Sequence, residues 1–144
     1  MSSDAKMTRA TLIPTMRYRD ATAALEFLTK VFGLVEHSVY RGDKGEVQHA
    51  ELSFGNGMIM IGPVAETAFS KYMRQPGDVG GITMSLYAIV ANPDAHHKRV
   101  TAAGYEILLP LRDEFYGGRE YTCRDPEGHI WTFGTYDPWA QAGK

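Results

Sequence analysis

The chain has 144 residues, 44% hydrophobic and 22% charged, ordinary proportions for one globular domain or two small modules sharing a core. A net charge of −2 with no basic run argues against nucleic-acid binding, and no stretch has the length of a membrane span or the apolar run of a signal peptide. The single cysteine, Cys123, cannot close an internal disulfide, so a cytoplasmic protein is the default expectation.

Residues 1–9 are polar and read as a flexible tail. Thr11 to Tyr18 reads as a strand, and Asp20 is a good N-cap for a helix from Ala21 to Phe32. Ala24, Leu25, Leu28, Val31 and Phe32 give that helix its apolar stripe, and Gly33 stops it. Strands are predicted over Val35 to Arg41, Val47 to Phe54 and Met58 to Ile61, the last two forming a hairpin around Asn56-Gly57. These elements make a first βαβββ module, 10–63. The Pro- and Gly-containing stretch 64–81 reads as a connector, with a short helix near Ala68 to Met73.

The order then restarts. Ile82 to Val90 is a predicted strand, and Asn92-Pro93-Asp94 opens a helix through Ala95 to Ala103, stopped by Gly104. Tyr105 to Leu109 is a strand and Pro110 to Gly118 a loop. Arg119 to Arg124 and His129 to Tyr136 make the last hairpin, turning at Asp125-Pro126-Glu127-Gly128. The second module is 82–137, and 138–144 is a tail. Laying Gly57 on Gly128 matches Ser53–Ile61 to the last hairpin, as an internal duplication would.

Strand alternation sorts the side chains. Ala50, Leu52 and Phe54 share one face, and His49, Glu51 and Ser53 the other. Met84, Leu86, Ala88 and Val90 oppose Thr83, Ser85 and Tyr87. The apolar sets belong under the helices, as do Trp131 and Phe133. Cys123 reads as a buried small hydrophobe, and the adjacent His96 and His97, about 100° apart on a helix, as a solvated face.

The repeated order, the helix running from Asp to Gly in each half, Arg17-Tyr18-Arg19-Asp20-Ala21, Phe115-Tyr116-Gly117-Gly118-Arg119 and the Asp125-Pro126-Glu127-Gly128-His129 turn resemble the vicinal oxygen chelate superfamily, in its glyoxalase/bleomycin-resistance branch. The resemblance implies an α+β fold of two βαβββ modules, forming a curved mixed sheet with a concave cup, usually completed in a homodimer. The branch holds both enzymes and binders, so the motifs specify the fold better than the activity. Metal-using members place His, Gln or Glu ligands on the cup floor, at positions that align with Ile13, Glu51, Ser85 and Thr132. Only Glu51 is a strong donor there, so the resemblance implies that the usual metal site is absent and that no cofactor is required.

A metal-free cup can still take a small-molecule ligand. Arg17, His49, Glu51, Ser85, Tyr87, Glu120 and Thr132 are the predicted inward set, with Phe115 and Tyr116 in a glycine-bearing loop beside them. Arg17 either holds an anion or pairs with Glu51 or Glu120. His49 is either a sheet residue bonded to a neighbour or, with Glu51 and His37, part of an unconventional metal site. Phe115 and Tyr116 either stack on a planar ligand or pack against protein. Two functions remain: a metal-free binder that sequesters a drug or metabolite, or a lyase, isomerase or dioxygenase. The enzyme would use an unconventional metal site or Glu51 as catalytic general base.

Overall fold

Asp20 and Asn92 start the helices that the sequence assigns to them. Their side chains accept the N–H of Ala23 at 2.9 Å and of Ala95 at 3.0 Å, satisfying donors that a helix N-terminus leaves unpaired. The computed structural model describes residues 9–141, and the chain divides into two compact units, through Gln75 and from Pro76. Among the described residues no helix is long and apolar enough to cross a membrane.

The first unit contains β1 (Thr15–Tyr18), α1 (Ala21–Phe27), a π-helical turn (Leu28–Phe32), β2 (Val35–Arg41), β3 (Val47–Phe54), β4 (Gly57–Pro63) and a 3-10 turn (Ser70–Tyr72). The second contains α2 (Pro76–Val79), β5 (Leu86–Ile89), α3 (Pro93–Ala102), β6 (Ile107–Asp113), β7 (Arg119–Arg124), β8 (Ile130–Gly134) and α4 (Pro138–Gln141). Strand order is β1-β4-β3-β2 in one sheet and β5-β8-β7-β6 in the other. In each, the first strand runs parallel to the last and the remaining pairs are antiparallel. The fold is α+β, and the βαβββ order predicted for each half is present.

Each sheet buries one face under its helix. Ala24, Leu25, Leu28 and Phe32 are buried, as are Met16, Tyr18, Ala50, Leu52, Ile59 and Ile61 of the sheet. In the second unit α3 packs on β6, β7 and β8, over buried Tyr121, Cys123, Trp131 and Phe133. Burial pushes the Cys123 thiol up to about 12. His96 corrects the expectation of a solvated histidine pair. Pro93, His96 and Val100 are the buried residues of α3, spaced as one helix face. The His96 ring lies 4.0 Å from that of Phe133, and its Nδ1 bonds the Tyr121 hydroxyl. The buried imidazole is thus a hydrogen-bonded core group, whereas His97 is half-buried, with its ring edge-on to Tyr121.

The Asp125 turn is tied from within. Its carboxylate accepts the N–H groups of Glu127 and His129 at 3.0 Å each and the Trp131 indole N–H at 3.2 Å. Gly128 closes the turn at φ 95°, a conformation that favours glycine. The first hairpin is shorter. Phe54 pairs with Gly57, so its two-residue loop is Gly55-Asn56, one residue earlier than predicted. Gly55 takes the positive φ of 58°, as the first residue of a type II′ turn does.

Edge strands depart most from expectation. β1 starts at Thr15 and β5 at Leu86, later than the apolar pattern implies. β5 pairs with β8 from Leu86 opposite Trp131, and β8 starts only at Ile130. Thr83 and Ser85 precede the strand, and Met84 is exposed instead of lying under the helix. β6 runs through Pro110 to Asp113, where a loop was predicted. Proline lacks a donor, but an edge strand tolerates that loss.

Candidate functional site

In the first unit, register places Thr15 beside Met60, Met60 beside Glu51 and Arg17 beside Gly62. Thr15, Arg17, His49, Glu51 and Met60 thus share the face turned away from α1, the open face. His49 and Glu51 are half-buried there while Ala50 and Leu52 are buried, as alternation predicts; Phe54 is only half-buried. His49 Nε2 and a Glu51 carboxylate oxygen are 3.0 Å apart, and Tyr40 sits across from His49 with ring centroids 5.7 Å apart. His37 falls at the β2 bulge between Glu36 and Ser38. It lines a separate hollow with Ile13, Ser53 and Met58.

A hollow of about 590 Å³ opens on this face, with Arg17, Gln48, His49, Met60, Gly62 and Phe69 in its lining. One Arg17 terminal nitrogen donates to the Pro63 carbonyl at 3.3 Å. The Gln75 amide donates to the Arg17 carbonyl at 2.8 Å, tying the end of the unit back to β1.

In the second unit, Tyr87 pairs with Thr132 and Thr132 with Thr122, while Gly134 lies between Ile89 and Glu120. Tyr87, Glu120, Thr122 and Thr132 therefore share that unit's open face. The two threonine hydroxyls bond at 2.8 Å. Glu120, on buried ground, accepts from Arg112 at 2.7 Å and from the Tyr116 hydroxyl at 2.9 Å, and Arg112 also donates to Glu114 at 2.7 Å. So Glu120 pairs with Arg112. The Tyr87 hydroxyl donates to the Tyr136 carbonyl at 2.8 Å, and burial, aided by the Glu120 charge, raises its phenol above the ordinary range. Phe115 is 98% exposed, edge-on to Tyr116, which meets Tyr136 in the same way. Ser85 is exposed ahead of β5.

The bond to Glu120 pushes the Tyr116 phenol from its ordinary 10.0 up to about 12. A group whose folded value is raised adds stability that is complete below its unfolded value. That contribution is lost as pH rises through the folded one. Wild type should therefore exceed Tyr116→Phe in urea midpoint up to pH near 10, with the gap shrinking toward pH 12. Paired urea titrations across that range check this; a gap independent of pH would contradict it.

Among the metal-ligand positions, Ile13 carries no donor, Thr132 is bonded to Thr122 and Glu51 to His49. Among the described residues no group of three or more His, Cys, Asp or Glu side chains is placed to hold a metal ion. Sequence reasoning missed Arg112, Gly62 and Phe69. Arg112 was legible in the alternation that continues past Pro110. Phe69 lies in the connector, where no period places it.

The model of the Glyoxalase/Bleomycin resistance protein/Dioxygenase superfamily matches residues 11–133. The chain is 28% identical over 123 residues to the uncharacterised protein Mb0911c of Mycobacterium bovis, covering 85% of this chain and 81% of that one. Its fold is similar to the crystal structure of TioX from Micromonospora sp. ML1, at 32% identity and a TM-score of 0.69, covering 87% and 97% of the two chains. It is also similar in fold to the fosfomycin resistance protein FosX from Mesorhizobium loti, at 17% identity and a TM-score of 0.63, covering 92% and 96%.

Proposed function

Because the chain belongs to the Glyoxalase/Bleomycin resistance protein/Dioxygenase superfamily, we propose that it is a small-molecule-binding protein working without the metal centre of its metal-using relatives. We further propose that it acts as a homodimer, sequestering a drug or metabolite on its open faces. The donor set carries this reading. Of Ile13, Glu51, Ser85 and Thr132, only Glu51 is a strong metal donor, and its carboxylate already meets His49 at 3.0 Å. Two hydroxyls and one carboxylate are a poor set for Zn, Ni or Fe. The hollow of about 590 Å³ beside that pair is within the size range of small-molecule sites.

The test is metal content by elemental mass spectrometry, before and after incubation with Ni, Zn, Fe and Mn. No dialysis-resistant metal is expected; stoichiometric retention would overturn the reading.

A second reading draws on the same pair. A carboxylate bonded to an imidazole on an open face could abstract a proton, making Glu51 a general base and Arg17 of the same unit a ligand-holding group. If turnover of any compound is found, Glu51→Gln should abolish it while leaving binding intact. Retained turnover would remove this second reading.

A further inference from the structure

The loop between β6 and β7 closes on the segment that follows β8. Gly118 takes a φ of 96°, and a β-carbon there would meet the Tyr136 backbone nitrogen at 2.9 Å, so this approach needs glycine. The contact brings Tyr116 onto Tyr136, with ring centroids 5.2 Å apart and planes at 79°. The two rings line a hollow of about 240 Å³ together with Thr135 and Asp137. None of that lining is shared with the hollow beside Arg17.

The charge at this corner has one sign. Its lining carries Asp137 and no Lys, Arg or His. Asp137 accepts the Trp139 N–H at 2.9 Å, and among the described residues no cation forms an ion pair with it. Arg112 is shared by Glu114 and Glu120 at 2.7 Å each, so one cation there stands against two carboxylates. The Tyr116 hydroxyl donates to Glu120 at 2.9 Å, which moves electron density into the ring and makes its face more negative. Burial raises the Tyr87 phenol, and the charges of Glu120 and Asp137 add to that rise.

Ring faces attract cations through their quadrupole, but they offer no lone pairs to replace the water around a metal ion or a bare ammonium. An alkylated ammonium is weakly hydrated and spreads its charge over methyl groups that pack on rings. The small volume suits a compact head better than a drug-sized body. We propose that this hollow binds the head of a small quaternary or highly substituted alkylammonium ion, with Tyr116 and Tyr136 as walls and Asp137 as counter-ion. The proposal rests on the second unit alone and stands whether or not the hollow beside Arg17 takes a ligand.

Two probes of one shape test it: choline, and 3,3-dimethylbutan-1-ol, which has carbon in place of the charged nitrogen. Followed by amide shifts in NMR, choline should bind one per chain, with its largest effects at Gly117, Gly118 and Asp137. It should bind roughly tenfold tighter than the alcohol, as two exposed ring contacts and one carboxylate allow. Tyr136→Leu should weaken choline roughly threefold, whereas Tyr136→Phe, which keeps the ring, should stay near wild type. Asp137→Asn should weaken choline and leave the alcohol unchanged. Potassium chloride at equal concentration should leave these resonances in place; if it moves them as choline does, the ligand class is overturned. Equal affinity for the two probes, or a preference that survives both Tyr136→Leu and Asp137→Asn, overturns the proposal. So does choline binding centred elsewhere in the chain, or no shift with choline at all.

Discussion

Phe133→Ala should lower the stability of the second unit by about 3–5 kcal/mol, the usual loss when a buried aromatic ring is cut to a methyl group. Phe133 is fully buried. Its ring lies 4.0 Å from that of His96, 5.8 Å from Tyr121 and 5.9 Å from Trp131. Removing it takes a wall from three other rings at once and leaves the His96–Tyr121 bond beside a void. Neighbours held by a helix above and a ladder on each side have little freedom to collapse into the space. Urea unfolding of wild type and variant, followed by tryptophan emission, gives the difference. A loss under about 1 kcal/mol would mean that the α3 face is packed far more loosely than these distances describe.

Asp125→Ala should cost about 2–4 kcal/mol. The aspartate is buried, and its carboxylate receives two turn amides and the Trp131 indole. Hydrogen bonds to a charged acceptor are worth more than neutral ones, and donors left without an acceptor lose their hydration as well. Asp125→Asn keeps one acceptor oxygen and should lose less. The change should also be local: amide exchange should accelerate first at Glu127 and His129, whose N–H groups lose their partner, before the rest of the hairpin. Exchange mapped by NMR, together with the unfolding midpoint, checks both parts. Equal stability of the alanine variant and wild type would show that the turn does not depend on its aspartate.

That turn also shows why some of this molecule could be read from its sequence. Asp125 to Gly128 is a local device: the amide and indole bonds to its carboxylate come from within six residues of the aspartate, so residue order alone carries them. The same is true of the Asp20 and Asn92 caps. β2, β3 and β7 keep the predicted ends, and period-two alternation correctly put His49 and Glu51 on the face opposite Ala50 and Leu52. The edge strands behave otherwise. The start of β5 depends on its pairing with β8, a partner more than forty residues away, and hydrophobicity in Ile82 to Ser85 carries no record of it. Pro110 was read as a strand end because its missing donor matters in a central strand; in edge strand β6 it does not. Arg112 disappeared from view with that misreading, and with it the partner of Glu120. Adjacent histidines on a helix give no sign of which one turns inward, so burial of His96 became visible only once α3 was set on its sheet.

Cys123 has a practical consequence for following this protein in solution. It is the only thiol in the chain; it is fully buried, and its proton is held up to about 12. An exposed thiolate attacks alkylating reagents, so the folded molecule keeps its one nucleophilic sulfur out of reach. The rate of modification under native conditions then counts openings of β7 and the layer beneath α3. The first unit has no sulfhydryl and is silent in the same reaction. A single mass shift of the intact chain thus becomes a clock for one of its two units, read without any engineered label.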